Sequence, residues 1–339
     1  MALISLRGLT KSYGDRQVLH GVDLDVDQGQ ILGVAGPNGA GKTTVVECLG
    51  GLRDRDGGTI TIDGIDPARP TPELRRLLGI QLQQIQVPPV LRTREVLELF
   101  ASFYPDPLRP DDLLEEFDLT AQAGQTFAKL SGGQQQRLSV ALALIGQPRI
   151  AILDELTTGL DPAARRRIWA QLERRRAEGM TMLLVTHSME EAQKLCDRMV
   201  IVQNGRIITD GSPQEIVGRT GIQHTTFTAD VDETTLRGLE GCEGVRRVRR
   251  AGGAITVDGG DASPQAVLAH LAELGVRATG VSVDRPTLED AYHRLTSAVV
   301  GPARADDGLA PPGAHHADPA DRPDPADHPE RADAEEAVR

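Results

Sequence analysis

Apolar and polar positions change rhythm three times along the chain. Up to about residue 82 they alternate in short runs, "ALISLRGLTKSYG", "GVDLDVDQGQILGVAG" and "GGTITIDGIDP", punctuated by Gly and Asp, which predicts strands and turns. Helical spacing follows. "REVLELFASFY", with Thr93 standing before it, places Val96, Leu97, Phe100 and Phe103 on one face, and "PDDLLEEFDL" comes after a Pro-rich break. From Leu130 to about Thr220, helical runs alternate with wholly apolar ones, the pattern of a parallel sheet covered by helices. Near Gly221 the order becomes strand, helix, strand pair, helix, strand and helix, close to a split βαββαβ unit.

These rhythms imply a large α/β unit over residues 1–220 with a helical segment at about 84–129. A small α+β, ferredoxin-like domain is expected over 221–298. Residues 299–339 are rich in Pro, Ala and Asp and nearly free of large apolar side chains, so they are expected to stay disordered. His315 and His316 in that tail lack a further fixed ligand and are not expected to bind metal.

Composition narrows the partners. The chain has 339 residues, 37 Lys and Arg against 49 Asp and Glu, and a net charge of -12, which disfavours a broad grip on nucleic acid or on an anionic membrane surface. Phosphate binding should therefore be local. Cys48, Cys196 and Cys242 lie far apart without metal spacing, which suits buried thiols in a reducing cytoplasm. No apolar run of about 18 residues and no signal-peptide layout is present, so the chain is expected to be soluble and to reach a membrane only through another chain.

The chemistry gathers at three strand ends. "ILGVAG" runs into "GPNGAGKT", Gly36, Pro37, Asn38, Gly39, Ala40, Gly41, Lys42 and Thr43, with Thr44 next, which fits G-x-x-x-x-G-K-[ST] between a strand and a helix. Backbone N–H groups of such a loop converge on phosphate oxygens, Lys42 reaches the β and γ phosphates, and the Thr43 hydroxyl suits magnesium. "RIAILDE" ends an apolar strand in Asp154, suited to a magnesium ligand, and Glu155, suited to a general base acting on water. "MTMLLVTHS" brings His187 to the same kind of exit, where it could contact the γ phosphate, and Ser188 with Glu191 reads as a capping box.

"LSGGQQQRLS" resembles a second cradle. Ser131 and Gln134 fit an ordinary capping box, yet Gly132 and Gly133 leave the helix N–H groups uncovered and invite an anion. One chain has no second nucleotide loop, so a second copy or a related partner is expected to bring its own nucleotide here, in a head-to-tail dimer. The stretch "ARRRIWAQLERRR" reads as a solvated basic face over an apolar underside rather than a nucleic-acid stripe.

GPNGAGKT, LSGGQ, DE followed by TTGLDP, and a strand ending in His, in this order, resemble the ATP-binding subunit of an ABC transporter across residues 1 to about 220. The resemblance implies a P-loop NTPase (RecA-like) core with an antiparallel β subdomain and a helical subdomain, using ATP and Mg2+. It implies that Tyr13 stacks on adenine and that Gln83 links magnesium to the membrane partner. Ser131, Gly133 and Gln134 would hold the opposite subunit's γ phosphate, and Asp161 would be the acid at the dimer seam. Asp161 is also a good N-cap before Pro162. Leu156 stands where the family usually has proline, which implies a less constrained loop.

"DRPTLEDAYHRLT" resembles the C-terminal extension of ATPase subunits of the daunorubicin-resistance and multidrug exporter type. An ATPase driving export of a drug, antibiotic or lipid-like substrate through a separate transmembrane permease is therefore expected, peripheral at the cytoplasmic face of the membrane and paired as a homodimer. A soluble ABC ATPase acting on ribosomes or DNA is the alternative, disfavoured by the single cassette and the acidic balance.

Overall fold

β1 (Ala2–Tyr13) and β2 (Arg16–Asp27) form a long antiparallel hairpin in which Leu6 faces Leu24 and Ser5 faces Asp25. Bulges between Leu6 and Leu9 break the strict alternation of the pair. The computed structural model describes residues 2–69, 71–81, 87–220, 222–284 and 286–298. The expected tail, with His315 and His316, lies outside the described residues, as does Gln83.

The chain continues through β3 (Ile31–Ala35), α1 (Lys42–Leu49) and β4 (Gly57–Ile62), then α2 (Pro72–Leu77) and β5 (Leu78–Gln81). α3 (Thr93–Ala101), α4 (Pro110–Glu116) and α5 (Gly132–Leu144) lead to β6 (Ile150–Asp154), α6 (Pro162–Ala177), β7 (Thr181–Val185) and α7 (Met189–Leu195). β8 (Arg198–Gln203), β9 (Arg206–Gly211) and α8 (Pro213–Thr220) follow. β4 completes a three-stranded antiparallel sheet in the order β2-β1-β4. The larger sheet runs β5-β6-β7-β3-β8-β9, parallel except for β9.

Strands β3, β6 and β7 are buried at every position, which is why each reads as an unbroken apolar run. Their side chains alternate between two cores. Leu32, Val34, Ile150, Ile152, Leu183 and Val185 pack toward the antiparallel sheet and α1. Ile31, Ala151, Leu153, Met182 and Leu184 pack toward the helices.

Two local expectations change. α3 ends at Ala101, so Phe103 leaves the face shared by Val96 and Leu97 and stands 66% exposed. Thr93 is the first helical residue rather than the cap: Arg92 takes the cap position, and the buried Thr93 hydroxyl donates to the Gln125 carbonyl at 3.1 Å. The arginines of α6 behave as a solvated face. Arg165 pairs with Glu190 at 2.8 Å and Arg175 with Glu116 at 2.9 Å, while Ile168, Trp169 and Leu172 are buried beneath.

β10 (Gln223–Thr228), α9 (Glu233–Glu240), β11 (Val245–Ala251), β12 (Ala254–Gly259), α10 (Ser263–Glu273) and β13 (Thr279–Asp284) follow, then α11 (Leu288–Ala298). The four strands form an antiparallel sheet in the order β11-β12-β10-β13, with a separate apolar cluster around Phe227, Ile255, Val257 and Leu271. α11 packs elsewhere. Its Leu288 and Ala291 join the helix-side core of the large sheet, beside α8 and α7, and Gln203 Nε2 donates to the Thr296 carbonyl at 2.8 Å.

Candidate nucleotide site

Parallel pairing aligns the carboxyl ends of four strands. Gln81 lies opposite Leu153, Asp154 opposite Val185, and Val34 opposite Val185 from the other side, so whatever follows each strand emerges at one edge. Three of the four carry the motifs: Gly36 to Thr43 after β3, Asp154 and Glu155 after β6, and His187 after β7.

The loop after β3 depends on two glycines. A Cβ on Gly36, at φ +155, would lie 2.1 Å from the Val202 carbonyl oxygen, and one on Gly41, at φ +105, would lie 2.7 Å from Leu19. Gly41 also provides no side-chain cap for α1, whose first N–H groups have no intrahelical acceptor. Lys42 Nζ donates to the carbonyls of Gly36 and Pro37 at 2.8 and 3.0 Å, which closes the loop on itself. Burial lowers the Lys42 ammonium from its ordinary range, opposed by the charges of Asp154 and Glu155.

Asp154 is 3% exposed, and burial with the neighbouring Glu155 charge pushes its carboxyl up to about 6. Its backbone is held by a residue that the sequence reading missed: Gln81 Nε2 donates to the Asp154 carbonyl at 2.9 Å, and Asp154 N–H donates to Gln81 Oε1 at 3.0 Å. Glu155 adopts left-handed backbone at φ +51, a conformation a glutamate takes only when its surroundings impose it. Its N–H donates to the Val185 carbonyl at 2.9 Å, and His187 Nδ1 lies 3.6 Å from Glu155 Oε1.

A cavity of about 470 Å³ is lined by Tyr13, Asn38, Gly39, Gly41, Lys42, Thr43, Thr44, Asp154 and Glu155, joined by Arg16 and Val18, which the sequence did not single out. Tyr13 is 40% exposed, with Arg53 5.0 Å from its ring centre and its hydroxyl 3.5 Å from Thr44 Oγ1. The buried Asp154 carboxyl and the Thr43 hydroxyl line one cavity and are oxygen donors of the kind a divalent cation takes, so the two fit magnesium, while the Lys42 ammonium suits the phosphates.

Ser131 to Gln134 do not line this cavity. They form the expected cap: Ser131 N–H donates to Gln134 Oε1 at 2.8 Å, and Gln134 N–H to Ser131 Oγ at 3.3 Å. Asp161 caps α6 as expected, accepting from Ala163 and Ala164 N–H at 2.9 and 2.8 Å. A link that the sequence does not announce joins these regions. Gln136 Nε2 donates to the carbonyls of Glu155 and Leu156 at 3.0 and 3.1 Å. Leu156 itself is 1% exposed and packs in the helix-side core, so its loop is held by packing.

A phosphate loop, a buried acid followed by a half-buried one, and an exiting histidine on adjacent parallel strands define a P-loop nucleotide hydrolase. The comparisons narrow the class. A family model described as ABC transporter matches residues 19–158. The daunorubicin resistance ATP-binding protein DrrA3 of Streptomyces coeruleorubidus is 37% identical over 306 residues, 86% of this chain and 95% of that one. Nod factor export ATP-binding protein I of Ralstonia nicotianae is 39% identical over 220 residues, 63% of this chain and 68% of that one. A solved dimeric ATP-binding cassette in a post-hydrolysis state, bound to ADP and Pi, superposes with a TM-score of 0.57 at 27% identity, covering 62% of this chain and 98% of that one. The chain belongs to the ABC transporter family as one of its ATP-binding proteins, and it is an ATPase.

Proposed function

We propose that this chain is the ATP-hydrolysing subunit of an exporter, working as a dimer at the cytoplasmic face of a membrane with a separate permease. The observation that carries the dimer is the location of Ser131 to Gln134 outside the cavity that holds Lys42 and Glu155. Two copies facing each other place each N-terminus of α5 against the other's nucleotide. Among the described residues no helix is long and apolar enough to cross a membrane, and in this reading the route for the substrate belongs to another chain.

In this reading the α1 N-terminus and Lys42 bind the β and γ phosphates, and Tyr13 stacks on adenine. Thr43, Asp154 and Gln83 would hold magnesium, which would neutralise phosphate charge. Glu155 takes a proton from the attacking water and His187 contacts the γ phosphate. Ser131, Gly133 and Gln134 complete the site in trans, with Asp161 at the seam. Residues 221–298 act as an accessory region: its ferredoxin-like part, β10 to β13, is supported by the strand order β11-β12-β10-β13 and by likeness to the daunorubicin resistance protein along most of the chain, while α11 returns to the core of the large sheet.

The permease would rest in a groove of about 910 Å³ between α2, β5 and the turn after α3, lined by Leu52, Leu74, Ile80, Phe103 and Tyr104. Leu52 and Phe103, 55% and 66% exposed, give this groove an apolar rim that a partner surface would cover.

The test is Glu155→Gln. It is expected to lower turnover about 10²- to 10⁴-fold while retaining ATP, and to accumulate as an ATP-bound dimer in size-exclusion chromatography. Parental turnover would remove Glu155 as the base, and a persistent monomer in the permease's presence would remove the composite site. Affinity purification from gently solubilised cells should recover a membrane permease, lost with Phe103→Ser. Recovery of ribosomes or DNA alone would overturn the export reading.

A further inference from the structure

Ser188 and Glu191 were expected to form a reciprocal cap on α7, and only half of it exists. Glu191 N–H donates to Ser188 Oγ at 3.2 Å, but Ser188 N–H donates to Thr186 Oγ1 at 3.0 Å rather than to the Glu191 carboxylate. That carboxylate turns inward and is 1% exposed. Oε2 accepts from Thr186 Oγ1 at 2.5 Å and Oε1 accepts from the Trp169 indole N–H at 3.4 Å, while Thr157 lines the same cavity. Thr157, Trp169 and Thr186 are themselves buried.

Burying a carboxylate is costly, and a helix cap could use an exposed one. The two donors explain where it is directed. Thr186 immediately precedes His187, and Trp169 belongs to α6. One side chain therefore fastens to a neighbouring helix the exit of β7, which brings His187 to 3.6 Å from Glu155. Trp169 fixes the carboxylate from α6, and Arg165, paired with Glu190, adds a nearby positive charge.

We propose that Glu191 is a positioning residue for ATP hydrolysis: its buried carboxylate ties α6 to the exit of β7 and sets the separation of Glu155 and His187. The proposal rests on the roles given to those two residues above. A Gln at this position has the same shape but no charge: its NH2 can only donate to Thr186 Oγ1 while its oxygen accepts from Trp169, so the charge-assisted bond from Thr186 is lost.

Glu191→Gln is expected to lower kcat about 10- to 100-fold, the scale of a small misplacement of reacting groups, while ATP affinity and KM stay within about 2-fold. In a His187→Ala background the same change should cost under about 2-fold, because the two residues act as a unit. The chain's single tryptophan gives a second readout. Its indole emission should shift in Glu191→Gln and lose its response to ATP. Should Glu191→Gln fail to fold, Thr186→Val removes one donor at constant size and is expected to show the same split, kcat falling with KM held. An unchanged kcat in a folded variant, or full additivity with His187→Ala, overturns the proposal. If Glu155→Gln and His187→Ala are themselves silent, it is the site assignment that falls.

Discussion

At the scale of single residues, the loop after β3 shows how little freedom the chain retains near the phosphates. Gly36→Ala forces a methyl against the Val202 carbonyl, itself fixed in the sheet, and is expected to cost about 3 kcal/mol, read as a lower urea midpoint with nucleotide binding lost. The motif residues were legible because a glycine-rich loop after an apolar strand has few other uses. Gln81 and Gln136 were not, since their partners lie 73 and 19 to 20 positions away and are chosen by strand register and helix rotation. Glu191 was hidden for a different reason: an ordinary capping pattern already accounted for it.

At the scale of elements, strand type was legible wherever both faces are buried, as in β3, β6 and β7, because an unbroken apolar run leaves few alternatives. Helix ends were less so. No Gly or Pro marks the end of α3, and Phe103 was assigned to a face that stops at Ala101. Loops show what local charge adds. Arg55 donates to both oxygens of Asp66 at 2.8 and 2.7 Å, pinning the turn before β4 to the loop beyond it and lowering the Asp66 carboxyl to about 2. A depressed acid stabilises above its unfolded value near 3.8, and that stability is lost as pH falls through about 2. Because Asp66 is partly exposed, the contribution is at most about 1 kcal/mol. Arg55→Met should therefore lower stability slightly at neutral pH and leave the two proteins alike near pH 2, measured by urea melts across that range.

At the scale of the whole molecule, the order of elements after residue 221 was legible, but the destination of α11 was not. Its apolar positions read as one more amphipathic helix, whereas Leu288 and Ala291 insert into the core built by residues nearly a hundred positions earlier. Leu288→Ala is expected to lower the stability of that core, beside α8, by about 3 kcal/mol, seen as a reduced melting temperature and faster proteolysis near α8. The late arrival of this helix also bears on biosynthesis. A ribosome releases the first 220 residues before the segment at 288–298 can cover its side of their hydrophobic core, so that surface stays uncovered through roughly seventy further peptide bonds, about 4–14 s at ordinary elongation rates.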